Sequence, residues 1–171
     1  MRAFHLFEPV SFDFFSRANF RTTQTVEINC TPQQLTEALS GVELWIEFVP
    51  AIKSVDWHGE KPFREGVRRT VEFGNHTVRE TFFKWDEQKG IAFRVDEGTQ
   101  KNVTAMAEHY EFEIVDSNTT RLVWTLAMQM TGVAGWLAPL ASWLAGRAMN
   151  GWLKNLKLMV EAEVSEGIPT G

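Results

Sequence analysis

The spacing of apolar residues divides the chain into strand-like and helix-like blocks. Residues 20–29 alternate and are rich in β-branched side chains, which predicts a first strand. After residue 52 the alternation returns in short runs separated by Gly, Asn, Asp and Pro, and beyond residue 132 apolar positions recur at three and four residues. The pattern predicts one C-terminal helix over residues 132–163, preceded by six strands at residues 53–59, 66–73, 76–86, 90–97, 103–116 and 119–131.

Two short helices are predicted between the first strand and the second. Thr31 is a good N-cap, Pro32 suits the first helical position, and Gln34 completes a capping box. This helix extends to Ser40, and a second one covers residues 43–51 and ends at Pro50. Because the later strands are joined by short turns, they form an antiparallel meander.

The C-terminal helix has two unlike halves. Residues 145–160 are amphipathic and fit packing on a core, whereas residues 131–146 contain no charged residue. Bulky apolar side chains in this first half occupy most of the helix circumference. Such a segment needs apolar surroundings on more than one side, from a sheet with a ligand cavity, from a partner chain or from a membrane surface.

The chain ends are predicted to lie outside the main domain, which covers residues 20–164. Residues 1–19 form an aromatic-rich N-terminal arm without a clear period, expected to pack on the domain, or alternatively to act as a lid or dimer contact. Residues 165–171 are a flexible tail. The arm lacks the long apolar run of a secretory signal, and the uncharged residues 122–146 are interrupted by glycines and Pro139, so we expect a cytoplasmic protein without a membrane span.

Composition excludes several classes of function. The net charge of −5 argues against a nucleic-acid partner, and the single cysteine, Cys30, rules out intrachain disulfides. The four histidines are isolated and lack the spacing of a metal-ligand motif. We therefore predict no metal and no cofactor, and we assign no catalytic residue.

Three charged residues fall on the apolar side of their predicted strands. The alternation places Arg69, Glu80 and Glu108 among inward apolar neighbours, although a register shift of one residue would return each to solvent. If the arginine pairs with a carboxylate, the result is a structural ion pair or a polar anchor for a ligand head group. A carboxyl left unpaired would have a raised pKa, which suits general acid–base work on an enolisable ligand.

The element order resembles a known family. The segments that carry the resemblance are TVEINCTPQQLTEAL followed by LWIEFVPAIKSVDW, then EGVRRTVEF, VRETFFKWDEQKGIAFRV and TRLVWTL. They resemble the superfamily of START, Bet v 1 and polyketide cyclase/dehydrase proteins (SRPBCC) over residues 20–163. The resemblance implies an α+β helix-grip fold, in which a curved antiparallel sheet of about seven strands wraps around the long C-terminal helix. The resemblance consists of hydrophobic patterns and turn positions, so it indicates the fold but not the chemistry of the site.

The same resemblance implies an apolar cavity between sheet and helix. Large side chains that fill this space are the alternative interpretation. The expected ligand-binding residues lie on the inward strand faces, on the second short helix and on the first half of the C-terminal helix: Trp45, Arg69, Glu80, Glu108, Tyr110, Trp124, Met128, Trp136 and Trp143.

These features favour binding or transport of a hydrophobic small molecule, such as a lipid, an isoprenoid or a polyketide-like compound, without catalysis. One alternative is a metal-free enzyme similar to the polyketide cyclases and aromatases, acting on a poly-carbonyl ligand in the same cavity. Another is a protein or membrane interaction module that uses the apolar surface of residues 132–144. A transient membrane contact and a homodimer both remain open as partners.

Overall fold

The computed structural model describes residues 3–167. Along this part of the chain the elements are β1 (His5–Leu6), α1 (Phe14–Arg17), β2 (Phe20–Ile28), α2 (Pro32–Ser40), α3 (Val42–Phe48), β3 (Ile52–His58), β4 (Arg68–Phe73), β5 (His76–Asp86), β6 (Gly90–Gly98), β7 (Val103–Asp116), β8 (Thr119–Met130), α4 (Gly132–Trp136) and α5 (Ala138–Glu166).

One curved antiparallel sheet forms the frame of the molecule. Its strands follow the order β2-β8-β7-β6-β5-β4-β3, so each neighbouring pair except β2–β8 is also consecutive along the chain. Helix α5 packs against β2 and against the two short helices. This arrangement confirms the predicted α+β helix-grip fold.

The corner between β2 and β3 is fixed by local hydrogen bonds. The hydroxyl of Thr31 accepts from the backbone N–H of Gln34, and the Gln34 side chain accepts from the N–H of Thr31, so the predicted capping box is confirmed. One turn after α2 ends, the indole Nε1 of Trp45 donates to the carbonyl oxygen of Leu39 at 2.8 Å. This bond ties α3 to α2 and sets the direction of the buried Trp45 ring.

The C-terminal helix differs from the single helix predicted over residues 132–163. It is broken at Leu137 into α4 and α5, with Pro139 in the first turn of α5. Proline has no N–H, and in a continuous helix its ring would clash with the carbonyl four residues earlier, so a new helix begins here. At the other end α5 continues to Glu166, which includes the first two residues of the predicted tail, and residues 168–171 lie outside the described residues.

Hydrogen bonds attach α5 to strand β2 along its length. The hydroxyl of Ser142 accepts from the backbone N–H of Arg21 at 3.2 Å near one end. Near the other, Lys157 Nζ donates to the carbonyl oxygen of Glu27 at 2.7 Å. Between these contacts the inward face of α5 covers the concave side of the sheet, where Leu153 and Leu156 are fully buried.

Two parts of the N-terminal arm contact the sheet, strand β1 and the segment around α1. Strand β1 pairs with Glu97 and Gly98 of β6, just beyond the point where the β6–β7 pairing ends. Farther along the arm, Phe14 is fully buried in a cluster on the sheet that includes Ala105 and Ala127. The small alanine side chains leave room for the phenylalanine ring.

Gly90 at the start of β6 allows a tight backbone approach, which gives a testable prediction. Its φ is +102°, and a Cβ built there would lie 1.9 Å from the carbonyl oxygen of Tyr110. Gly66 has a similar φ of +90° but open space around it. Replacement of Gly66 by Ala should therefore cost only the backbone strain of about 1 to 2 kcal/mol.

Gly90→Ala should lower the free energy of unfolding by about 1 to 3 kcal/mol more than Gly66→Ala, because the strand pair must also separate. Urea denaturation of the two variants measures this difference. Equal losses would show that the β6–β7 approach is not tight at this position.

Candidate functional site

A cavity of about 540 Å³ lies between the concave face of the sheet and helix α5. This volume is within the range that proteins use to hold small molecules. Its walls are apolar and come from both layers: Val71, Val78, Met106, Leu126 and Met128 from the sheet, and Ala141, Ala145, Met149 and Trp152 from α5.

One end of the cavity reaches partly exposed residues, which we call the cavity mouth. Phe73, Val103 and Met130 line it at the ends of β4, β7 and β8. Val103 and Met130 are paired across β7 and β8, and the chain enters α4 directly after Met130. The mouth therefore lies beside the break between β8 and the C-terminal helices.

The inner end of the cavity contains a buried ion pair. Arg69 and Glu80 face each other across β4 and β5, and Arg69 Nε donates to Glu80 Oε2 at 2.5 Å. Their side chains are only 2% and 5% exposed. Burial raises the pKa of Glu80, and the guanidinium of Arg69 opposes that rise. Of the two alternatives considered for the inward carboxylates, Glu80 therefore forms the ion pair with Arg69.

Aromatic rings surround the guanidinium of Arg69. Its Cζ lies 4.1 Å from the ring centroid of Trp45 and 4.6 Å from that of Phe93. A desolvated guanidinium over such rings gains cation–π attraction, which offsets part of its lost hydration. Nevertheless, Arg69 Nη1 is buried and has no hydrogen-bond partner among the described residues. The site therefore contains an unused, nearly immobile donor.

Glu108 is the second buried carboxyl, and unlike Glu80 it has no ion-pair partner within residues 3–167. Its Oε2 accepts from Tyr110 Oη at 2.9 Å and from Trp124 Nε1 at 2.8 Å, both neutral donors. Burial, with a further contribution from the negative charge of Glu80, raises the pKa of Glu108 to about 7. At neutral pH the carboxyl is therefore present in both protonation states, as general acid–base work requires.

The two donors to Glu108 are held by ring packing. Tyr110 stacks on Trp124 with ring centroids 5.1 Å apart, and Trp45 meets Tyr110 edge-on at 5.5 Å. Burial raises the pKa of Tyr110 well above its ordinary value, so the phenol stays protonated and donates. Glu108 consequently sits in a preformed pocket of two fixed donors.

A family model described as polyketide cyclase/dehydrase and lipid transport matches residues 19–161. The chain belongs to this family. An uncharacterized protein of Mycobacterium tuberculosis, Rv2574, is 31% identical over 156 residues, which cover 91% of this chain and 93% of that protein.

Solved structures of other proteins have the same fold. The Zhui aromatase/cyclase from Streptomyces sp. R1128 superposes with a TM-score of 0.66 at 19% identity, covering 84% of this chain and 94% of that one. A START superfamily protein from Mycobacterium smegmatis gives a TM-score of 0.64 at 18% identity, covering 83% and 97%. At these identities the likeness concerns the fold alone. Within residues 3–167, no helix of this polyketide cyclase-family protein has the length and apolarity to cross a membrane.

Seven of the nine predicted ligand-binding residues of this family member line one cavity: Trp45, Arg69, Glu80, Glu108, Tyr110, Trp124 and Met128. Trp136 and Trp143 do not, because their side chains are 91% and 60% exposed on the outer surface. In α5 the cavity side is set by Ala141 and Ala145, and Trp143 lies about 200° around the helix from Ala141.

The cavity residues outside the predicted set include two alanines of α5 and one glutamine in a loop. Ala141 and Ala145, one helical turn apart, leave space where larger residues would fill the interior, and their spacing was the available signal. Gln100 lies in the loop before β7, where no periodicity identifies it, and its Oε1 is buried without a hydrogen-bond partner in the described chain.

Other candidate chemistry lies away from the cavity. Burial raises the pKa of the Cys30 thiol to about 12, so it is not a nucleophile near neutral pH. Among residues 3–167, no group of three or more His, Cys, Asp or Glu side chains is placed to hold a metal ion.

Glu108 should make stability fall with rising pH. Its pKa is about 7 in the folded protein against an ordinary value of 4.5, so between these pH values the folded state keeps a proton that the unfolded chain releases. The free energy of unfolding should drop across this window by up to about 3 kcal/mol relative to Glu108→Gln, which cannot ionise but still accepts hydrogen bonds.

Urea denaturation of both proteins from pH 4.5 to 8 measures this difference. His109, whose pKa burial lowers to about 4, makes stability rise with pH below its ordinary value of 6.5, but this contribution is common to both proteins and cancels. Parallel pH profiles would contradict a raised pKa at Glu108.

Proposed function

We propose that this protein binds a hydrophobic small molecule that carries a polar, oxygen-bearing end, and that it does so in the cavity under α5. The observation that carries the proposal is the polarity of that cavity: apolar walls lead to one buried polar end with an unsatisfied donor. The family description, which names polyketide cyclases and lipid transport, supports the same class of ligand. We place this activity in the cytoplasm, where the free thiol of Cys30 would stay reduced.

The apolar walls supply the main driving force. A lipid-like or polyketide-like body that contacts Met106, Leu126, Met128 and Met149 leaves water at a gain of roughly 25 cal/mol per Å² of apolar surface. Methionine side chains are flexible and polarizable, so they adapt to different ligand shapes. This lining favours a class of related ligands over one rigid molecule.

The polar end supplies orientation. Arg69 Nη1 needs a hydrogen-bond acceptor, and a ligand carbonyl, carboxylate or hydroxyl oxygen provides one. The guanidinium is already held by Glu80 and by the ring of Trp45, so little side-chain entropy is lost when the ligand binds. Glu108 adds a second polar group, which accepts when ionised and donates when protonated.

An enzyme is the second candidate, and the raised pKa of Glu108 favours it. In a poly-carbonyl ligand the Glu108 carboxylate would take a proton from the carbon between two carbonyls. The resulting enolate carbon would attack another carbonyl of the same chain, and protonated Glu108 would return the proton to the new alkoxide. Arg69 would donate to the carbonyl oxygen on which negative charge develops.

A large side chain that enters the cavity should block binding. Ala145 lines the cavity, whereas Ala148, less than one turn later on α5, is exposed. Ala145→Trp should raise the Kd for the fluorescent fatty acid parinaric acid by at least about tenfold, and Ala148→Trp should leave it unchanged.

Fluorescence titration measures both Kd values, and native mass spectrometry checks that one molecule binds per chain. Thermal unfolding of the two variants controls for loss of fold. Binding that Ala145→Trp does not weaken would show that the fatty acid occupies another site, which would overturn the proposal.

Glu108→Gln separates the enzyme from the carrier. With a linear poly-β-keto thioester as substrate, an enzyme should form a cyclised product that mass spectrometry detects, and Glu108→Gln should slow its formation by about 100-fold or more. Parinaric acid binding by the same variant should change less than threefold, because both donors to residue 108 keep an acceptor. A wild-type protein that binds the thioester without converting it would eliminate the enzyme and leave the carrier.

A further inference from the structure

Helices α4 and α5 expose a continuous set of large apolar side chains, which we call the α4–α5 apolar face. Each of its members is more than half exposed: Val133, Trp136, Leu137, Leu140, Trp143 and Leu144. We propose that this face docks on the surface of an anionic lipid bilayer and brings the cavity mouth to the membrane. The evidence for docking comes from this face and its surroundings. The further statement that docking serves ligand exchange rests on the function proposed above.

The composition of the face suits the boundary between lipid headgroups and acyl chains. Two of its six side chains are tryptophans, which concentrate at that boundary, and the others are aliphatic. Residues 131–146 contain no charged side chain, so nothing charged has to be desolvated when the face is buried. Large contiguous apolar patches are uncommon on monomeric proteins and usually mark a contact site.

The charges around the face match an anionic partner. Arg147 is the one charged residue in the sequence from residue 122 to residue 153, although the whole chain has a net charge of −5. Arg147 and Arg21 line the same groove beside Trp143, and the Arg147 guanidinium lies 5.3 Å from the Trp143 ring centroid. Basic residues at the edge of an apolar face attract anionic headgroups by about 1 kcal/mol each.

The same charges argue against a second copy of the chain as the occupant. In a symmetric dimer a patch meets its own copy, so Arg21 and Arg147 of both chains would bring four like charges to the edge of one apolar interface. The segment that carries the face, residues 122–153, offers no acidic side chain to compensate them. An anionic bilayer satisfies both the apolar surface and the basic edge.

The face also adjoins the cavity. Met130 lines both the cavity mouth and the surface depression beside Trp136. Farther along, Ala141 and Ala145 face the cavity while Leu140 and Leu144 are exposed on the other side of the same helix. Docking through the face therefore brings the mouth next to lipid, and an apolar ligand can pass between bilayer and cavity with little exposure to water.

Vesicle binding tests this proposal with a matched control. The wild-type protein should co-sediment with vesicles of phosphatidylcholine mixed with phosphatidylglycerol, less with phosphatidylcholine alone, and less again at high salt. The double variant Trp136→Ser/Trp143→Ser should bind the anionic vesicles at least about tenfold more weakly. Leu158→Ser removes an equally exposed apolar side chain from α5, 66% exposed but outside the face, and should bind like the wild type.

Three results would overturn the docking: wild-type protein that stays in the supernatant with both vesicle types, equal weakening by Leu158→Ser, or a dimer in sedimentation velocity that the double variant dissociates. Parinaric acid binding separates this test from the ligand proposal. Wild-type protein that binds the fatty acid but not the vesicles refutes docking alone, whereas vesicle binding without fatty-acid binding refutes the ligand alone.

Discussion

The buried ion pair between Arg69 and Glu80 is the interaction on which the site depends. Two charges in an apolar interior lose their hydration, and loss of either partner would leave the other charge uncompensated at a cost of several kcal/mol. The pairing of β4 with β5 holds the two residues opposite each other, and the ring of Trp45 covers the guanidinium. The pair thereby fixes a polar inner end in a cavity whose walls are mainly apolar.

Glu80 and Glu108 have different charge environments because the site contains two buried carboxyls but only one buried guanidinium. One guanidinium serves Glu80, and Glu108 receives only the neutral donors of Tyr110 and Trp124. Its charged form is consequently less favoured, and its pKa lies near neutrality. Arg69 contacts Glu80 through Nε, and its Nη1 has no acceptor among the described residues. This arrangement of polar groups suits both a ligand-binding protein and an enzyme. Which of the two functions it serves depends on whether the ligand has a group that can react.

Helix α5 has two separate roles on its two sides. Towards the sheet, small residues such as Ala141 and Ala145 leave the cavity open, while Leu153 and Leu156 farther along close the core. Away from the sheet, its first turns and α4 remain apolar and exposed. A helix apolar all round usually lies inside a protein. Here its outer side faces solvent beside the cavity mouth, which connects the proposed ligand site with the proposed membrane contact.

The sequence by itself determined which face of each strand is buried. Apolar residues alternate with a period of two and the turns are short, so only one register buries the apolar side of each strand. In that register Arg69, Glu80 and Glu108 point inward. Only the tertiary structure decided which carboxyl pairs with Arg69, since the partners come from different strands whose alignment no single segment encodes. It also decided the positions of Trp136 and Trp143. A helix that is apolar on every side gives no signal of which side meets the sheet, and here that depended on the break at Leu137 and on the contacts of α5 with β2.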